Sequence, residues 1–222
     1  MSPFLDSIAQ RIEQQVSTLR VGGSSPSGVA SYRKKSVITY IGLDGEMSSA
    51  DIDSGGKLIQ IGMAKYVDGK MQSIGYLLNP GVMDWSEEAE SVHKFTKAQI
   101  ELEGEDPAMV DSLLANWANS TSGNRDFVMV GFNVGSFDRP YVKQSLPILY
   151  KKFSRRSVDL NSVIFAMSDS HSEFERIKAN AKEYAFDKMQ GMFDGFKDRQ
   201  HDAEYDAVMS LYCFEYLRSL IK

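Results

Sequence analysis

The apolar positions fall into two rhythms. Residues 4–20 place Leu5, Ile8, Ile12, Val16 and Leu19 at steps of three and four, the period of an amphipathic helix. Residues 21–35, with Gly22, Gly23, Pro26 and Gly28 among serines, predict a flexible linker. From residue 36 onward the runs shorten to strand length: 37–43, 58–66 and 71–78. The last two are separated by the turn Val67-Asp68-Gly69-Lys70, which predicts an antiparallel meander. Helical patterning fills roughly 86–118. A strand is predicted at 127–131, a helix near Pro140, where proline suits a first turn, and a further strand at 157–160. A closing helix at 203–221 is dense in apolar residues. A meander followed by alternating helix and strand predicts an α/β layered domain with a mixed sheet over 36–222.

Composition narrows the class. A chain of 222 residues, 42% hydrophobic and 25% charged, suits one well-buried domain. It contains no apolar run of the roughly 20 residues that a membrane span needs, and its first residues lack the order of a signal peptide. The expectation is a soluble, cytoplasmic protein with no membrane partner. The single cysteine, Cys213, sits among Leu211, Tyr212 and Phe214 and reads as a buried core thiol. That excludes a disulfide framework or a cysteine-based zinc site. The net charge of −5 argues against a protein that coats nucleic acid with a broad basic face. It still permits an acidic cleft whose charge is reversed locally by divalent cations.

Three segments carry candidate chemistry. The first strand leads into Asp44-Gly45-Glu46. Side chains two apart on a strand share a face, so these carboxylates form half of a hard-cation site. Alone the pair says little: with 30 acidic residues, chance supplies roughly one Asp-x-Glu, and another lies at Asp202 and Glu204. The second segment runs from the strand at 127–131 through Phe132-Asn133 to Phe137-Asp138. Asp138 reads either as a helix N-cap or as a third ligand, while Gly131 and Gly135 suit turns or a close backbone approach. The third is His201-Asp202-Ala203-Glu204-Tyr205-Asp206-Ala207. If Asp202 caps the last helix, Asp206 lies in its first turn and His201 just outside, which brings a ligand and a base to one cleft.

In their order and spacing these segments resemble the DEDDh (DnaQ-like) 3′→5′ exonucleases, the group that includes the proofreading subunit of bacterial replicative polymerase, ribonuclease T and oligoribonuclease. That family carries Asp-x-Glu, then Asn-x-x-Phe-Asp, then His-x-Ala-x-x-Asp-Ala. These map onto Asp44 and Glu46, onto Asn133, Phe137 and Asp138, and onto His201, Ala203, Asp206 and Ala207. The tyrosine branch of the family would place its tyrosine at 202, where this chain has Asp. Asn79-Pro80 followed by Ala89, Val92 and His93 resembles a further family stretch that helps to hold the terminal nucleotide. The chain departs from many relatives at Met47-Ser48-Ser49, at Phe132 in place of a histidine, and at Lys94 in place of a glycine.

The resemblance implies a ribonuclease H-like three-layer fold with a mixed five-stranded sheet flanked by helices. It implies two divalent cations, Mg²⁺ or Mn²⁺, held by Asp44, Glu46, Asp138 and Asp206, with His201 as general base. Gly45, Met47, His93, Asn133 and Phe137, with Phe95 close by, are the expected contacts to the 3′ end of a single-stranded nucleic acid, although Phe95 and Phe137 read equally as ordinary core aromatics, and the products would be nucleoside 5′-monophosphates. Lys151, Lys152, Arg155 and Arg156 form the densest basic run, either a track for the strand or a solvated loop. Residues 4–20 could pack on the main domain, pair with a second copy or engage a protein partner. The alternative reading is a nuclease-like module without activity that binds nucleic acid or a partner, against which the retention of all five chemical residues weighs.

Overall fold

The strand-forming runs assemble one five-stranded sheet in the order β3-β2-β1-β4-β5. The protein is described by a computed structural model that covers residues 37–119, 125–193 and 201–221. The helix expected at 4–20 and the linker at 21–35 lie outside the described residues. Strands β1 (Val37–Met47), β2 (Leu58–Val67) and β3 (Lys70–Leu77) form the antiparallel meander, and β4 (Arg125–Gly131) and β5 (Phe153–Asp159) add to β1 in parallel. The sheet is therefore mixed, as the alternation of elements predicts. β1 extends past residue 43, because pairing with β2 continues through Glu46. Asp44 and Glu46 are thus inside a strand and not beyond its end.

The helical tract near 86–118 is broken into α1 (Glu87–His93), α2 (Lys97–Glu103) and α3 (Pro107–Asn119). Lys94 ends α1 in the left-handed region at φ 65°, and Thr96 with Gln99 starts α2 through a reciprocal capping box. Helix α4 (Asp138–Ser145) begins two residues before Pro140, which occupies its first turn, where no intrahelical N–H is needed. After α5 (Pro147–Tyr150), β5 starts at Phe153, four residues before the predicted strand. It is an edge strand whose Arg155 and Arg156 are exposed, so its apolar alternation is weak. Leu160 starts α6 (Leu160–Ala166), capped by the Asp159 carboxylate, which accepts from Ser162 N at 3.2 Å. Helix α7 (His171–Met189) escapes the pattern reading because two of its four buried positions, Ala181 and Ala185, are small. Helix α8 (Ala203–Ile221) closes the chain as predicted.

The helices divide between the two faces of the sheet. On one, α3, α4 and α5 pack through Leu114, Val142 and Leu149 against Ile41, Leu43 and Met129. On the other, α6, α7 and α8 pack through Ile164, Ala185 and Val208 against Ala64 and Val130. Cys213 is fully buried in this second core, and burial pushes its thiol up to about 12. Two glycines set the depth of α8. A Cβ on Gly42 would collide with the Ala207 carbonyl, and one on Gly62 with the backbone of Ala203 and Glu204. Small residues on both partners let the first turn of α8 lie directly on β1 and β2.

Candidate active site

That close approach brings the carboxylates together. Along β1 the twofold alternation sends Gly42, Asp44 and Glu46 to the face that α8 covers. Asp206 arrives from the first turn of α8. Asp202 caps the helix, its Oδ1 accepting from Glu204 N at 3.1 Å and Tyr205 N at 3.4 Å. The helix start is fixed further by buried Gln60 of β2, whose side-chain oxygen accepts from Ala203 N at 3.0 Å. Gln60 went unremarked in the sequence. Its signal was a polar residue inside an apolar run, one of two there with Lys65.

His201 precedes the helix with φ 69°, a left-handed conformation uncommon outside glycine and often found at functional positions. Its backbone N–H donates to Asp206 Oδ2 at 3.1 Å. Glu46, His201 and Asp206 each offer a donor atom within 4.8 Å of the other two.

Asp138 comes from the opposite side of β1. It is only 3% exposed, and it is the first residue of α4 and not its cap, a position held by Phe137 without any side-chain hydrogen bond. The Asp138 carboxylate accepts from its own N–H and from that of Gly45. Gly45 therefore orients Asp138, and a Cβ there would strike Leu58. Gly131 is a packing position too, since a Cβ would meet the Leu43 carbonyl.

The electrostatics follow from four neighbouring carboxylates, Asp138 buried and Asp44, Glu46 and Asp206 half-buried. Burial first, then Asp138, Asp206 and Glu46, raise the Asp44 carboxyl well above its usual range. Burial and the neighbouring aspartates push Glu46 up to about 8. Asp138 is pushed up to about 7, chiefly by burial, and Asp206 to about 6, with His201 and Lys182 opposing the rise. Asp159 and Asp202 add to this negative field; neither was a site residue in the sequence reading. Such a cluster of hard oxygen donors fits divalent cations, which would relieve the repulsion that otherwise favours protonation.

Two cavities flank the carboxylates. One of about 260 Å³ is lined by Glu46, Met47, Ala89, Val92, His93 and Phe137, and so unites three of the expected terminal-nucleotide contacts. His93 is 5% exposed, and its ring lies parallel to Phe95 and edge-on to Trp85. Its Nδ1 accepts from Phe95 N at 3.1 Å, which leaves Nε2 as the N–H, and this buried Nε2 has no hydrogen-bond partner. Asn79 does not share this cavity. It shapes the turn after β3, accepting from Gly81 N and donating to the Glu101 carbonyl.

The other cavity, about 410 Å³, is lined by Asp44, His201, Asp206, Asn133, Lys178 and Lys182, among others. Asn133 sits there at φ 58°, its Oδ1 accepting from Asn161 Nδ2 at 2.9 Å. The lysines come from α7, whose small buried residues leave little helical signal in the sequence. None of Lys151, Lys152, Arg155 and Arg156 lines either cavity.

Comparison with known proteins agrees with this architecture. No family model matches the chain, and no curated protein matches it. Among solved structures it is similar to E. coli Exonuclease I in complex with a dT13 oligonucleotide, at a TM-score of 0.55 and 14% identity over 81% of this chain and 40% of that one. It is also similar to the zinc-ion-bound form of the E. coli enzyme with single-stranded DNA, at a TM-score of 0.56 and 12% identity over 83% and 41% of the two chains. The chain thus spans about two fifths of the length of those structures. The neighbours establish the fold as the ribonuclease H-like arrangement of a mixed five-stranded sheet between helices. No described helix is long and apolar enough to cross a membrane.

Proposed function

We propose that the chain is a metal-dependent 3′→5′ exonuclease of the DEDDh type. The observation that carries this reading is the convergence of Asp44, Glu46, Asp138 and Asp206, from three separate stretches of sequence, on one space that His201 also reaches. The structural likeness to Exonuclease I, described with bound single-stranded DNA, supports it.

Two divalent cations, Mg²⁺ or Mn²⁺, held by the four carboxylates would bind the terminal phosphodiester, lower the pKa of a water and stabilise the departing 3′ oxygen. His201 takes the proton of that water as its oxygen attacks phosphorus and the bond from phosphorus to the 3′ oxygen breaks. The leaving oxygen gains a proton from solvent, giving a shortened strand and a nucleoside 5′-monophosphate. Met47, His93 and Phe137 receive the terminal nucleoside in the smaller cavity. The His93 Nε2–H is a donor without a partner there, suited to an acceptor on sugar or base.

Matched single-stranded and duplex DNA and RNA, labelled at the 5′ end and incubated with Mg²⁺ or Mn²⁺, test the proposal. The expected result is a ladder of labelled strands shortened from the 3′ end, abolished by EDTA. Release of the label as a mononucleotide before any shortened strand appears, internal cleavage or EDTA-resistant hydrolysis would oppose it.

A further inference from the structure

Helices α6 and α7 leave a groove that starts at the carboxylates and leads away from the terminal-nucleotide cavity. The 410 Å³ cavity beside Asp44 and Asp206 shares Asn161 and Lys178 with a neighbouring one of about 440 Å³. That second cavity shares Phe165 and Phe174 with a third, of about 310 Å³, which ends at His171.

The two lysines stand against rings at the carboxylate end of the groove, and the far end is lined by Phe165, Phe174 and His171 together with Asp169. Lys178 Nζ lies 5.6 Å from the ring centres of both Phe132 and Phe174, and Lys182 Nζ lies 5.7 Å from that of Phe132. These separations are within cation–π range. Among the described residues neither lysine forms an ion pair. Phe165 is 76% exposed, and His171 stacks on Phe174 with the ring planes 9° apart. The buried Asn161 Oδ1 has no hydrogen-bond partner.

From these features we propose that the α6–α7 groove binds the single strand on the 5′ side of the scissile bond. Lys178 and Lys182 take its phosphates, Phe165 and Phe174 stack its bases, and Asn161 Oδ1 accepts from a base or sugar donor. The inference rests on the exonuclease reading of the carboxylate site and deepens it. Cationic side chains interleaved with exposed rings are the pattern that holds single strands without reading their sequence, since every base has a face to stack. From Lys182 to His171, at about 1.5 Å per helical residue, the groove is roughly 16 Å long, enough for about five nucleotides at the stacked spacing of ~3.4 Å.

Two measurements on the full chain test this. In the first, 5′-fluorescein-labelled single-stranded DNA and RNA of two to eight nucleotides are titrated in EDTA and read by fluorescence anisotropy. Affinity should climb with length to a plateau near six nucleotides, and the combined variant Phe165→Ala, Lys178→Ala should lose at least tenfold on the six-nucleotide strand, with a shallower salt dependence. In the second, hydrolysis of the six-nucleotide strand is compared with that of the p-nitrophenyl ester of thymidine 5′-monophosphate, which has a scissile bond but no upstream strand. The variant should lose at least ten times more kcat/KM on the strand than on the ester.

Equal losses on both substrates, or wild-type affinity and turnover of the six-nucleotide strand by the variant, would overturn the groove and leave the exonuclease reading standing. Groove-dependent binding by a wild-type protein that cleaves neither substrate would uphold the groove and remove the exonuclease reading.

Discussion

Replacing Glu46 by Gln should make the cation-free protein more stable at neutral pH, although it removes a proposed metal ligand. The Glu46 carboxyl is pushed from 4.5 up to about 8 by burial and by its aspartate neighbours. Folding at pH 7 must therefore bind a proton that the unfolded chain has already released. The protonated form contributes its full stability below the unfolded pKa, and that contribution is lost as pH rises through the folded one. The 2.5 pH units between 4.5 and 7 correspond to about 3.4 kcal/mol at ~1.36 kcal/mol each. Residual solvent contact at Glu46 reduces this to about 1.5 kcal/mol. At pH 5 the same reasoning leaves only a few tenths of a kcal/mol. Gln fills nearly the same volume without the proton requirement, so thermal unfolding in EDTA should show the variant roughly 3–6 °C higher at pH 7, given ~2–4 °C per kcal/mol for a domain of this size. The difference should nearly vanish at pH 5. Added Mg²⁺ or Mn²⁺ should raise the midpoint of the natural protein and leave that of the variant almost unmoved. A variant less stable than the natural protein in EDTA at pH 7, or an effect that does not change with pH, would refute the reasoning.

Other consequences are separable. Lys94→Gly relieves a left-handed position at φ 65° and should stabilise the fold by about 0.5–1 kcal/mol in urea unfolding; a loss of stability would contradict the strain argument. Gly62→Ala drives a methyl into the backbone at the start of α8, so a destabilisation of at least ~1–3 kcal/mol is expected, together with a greater loss of hydrolysis as Asp206 is displaced. Cys213, fully buried with its thiol pushed up to about 12, should react with an aromatic disulfide reagent only at the rate of global unfolding; prompt labelling of the folded protein would show the core reading of this residue to be wrong.

Much of the scaffold was legible because its signals are local. The meander followed from short apolar runs about the Val67-Asp68-Gly69-Lys70 turn, and α8 from its dense apolar face. Asp44, Glu46, Asp138, His201 and Asp206 stood out only as an ordered set, since an Asp-x-Glu pair is expected by chance and Asp138 alone reads as a helix cap. What went unread depends on non-local contacts. Gln60 is a polar interruption in β2 until the start of α8 is brought over it. Lys178 and Lys182 look like ordinary solvated lysines until α7 is folded across Phe132. The basic run at 151–156 attracted notice by density, yet much of it lies on an edge strand that lines neither cavity beside the carboxylates. Position 94 carries the reverse lesson, because its lysine keeps a left-handed backbone that glycine would adopt without strain.

The most direct test of the central claim is the release of nucleoside 5′-monophosphate from a 5′-labelled single strand, compared between the natural protein and Asp206→Ala in Mg²⁺ or Mn²⁺. The account predicts stepwise 3′→5′ shortening by the natural protein and a loss of at least about a thousandfold in kcat for the variant, with its fold intact by circular dichroism. Full cation-dependent activity in Asp206→Ala, or no hydrolysis of any strand by the natural protein, would contradict it.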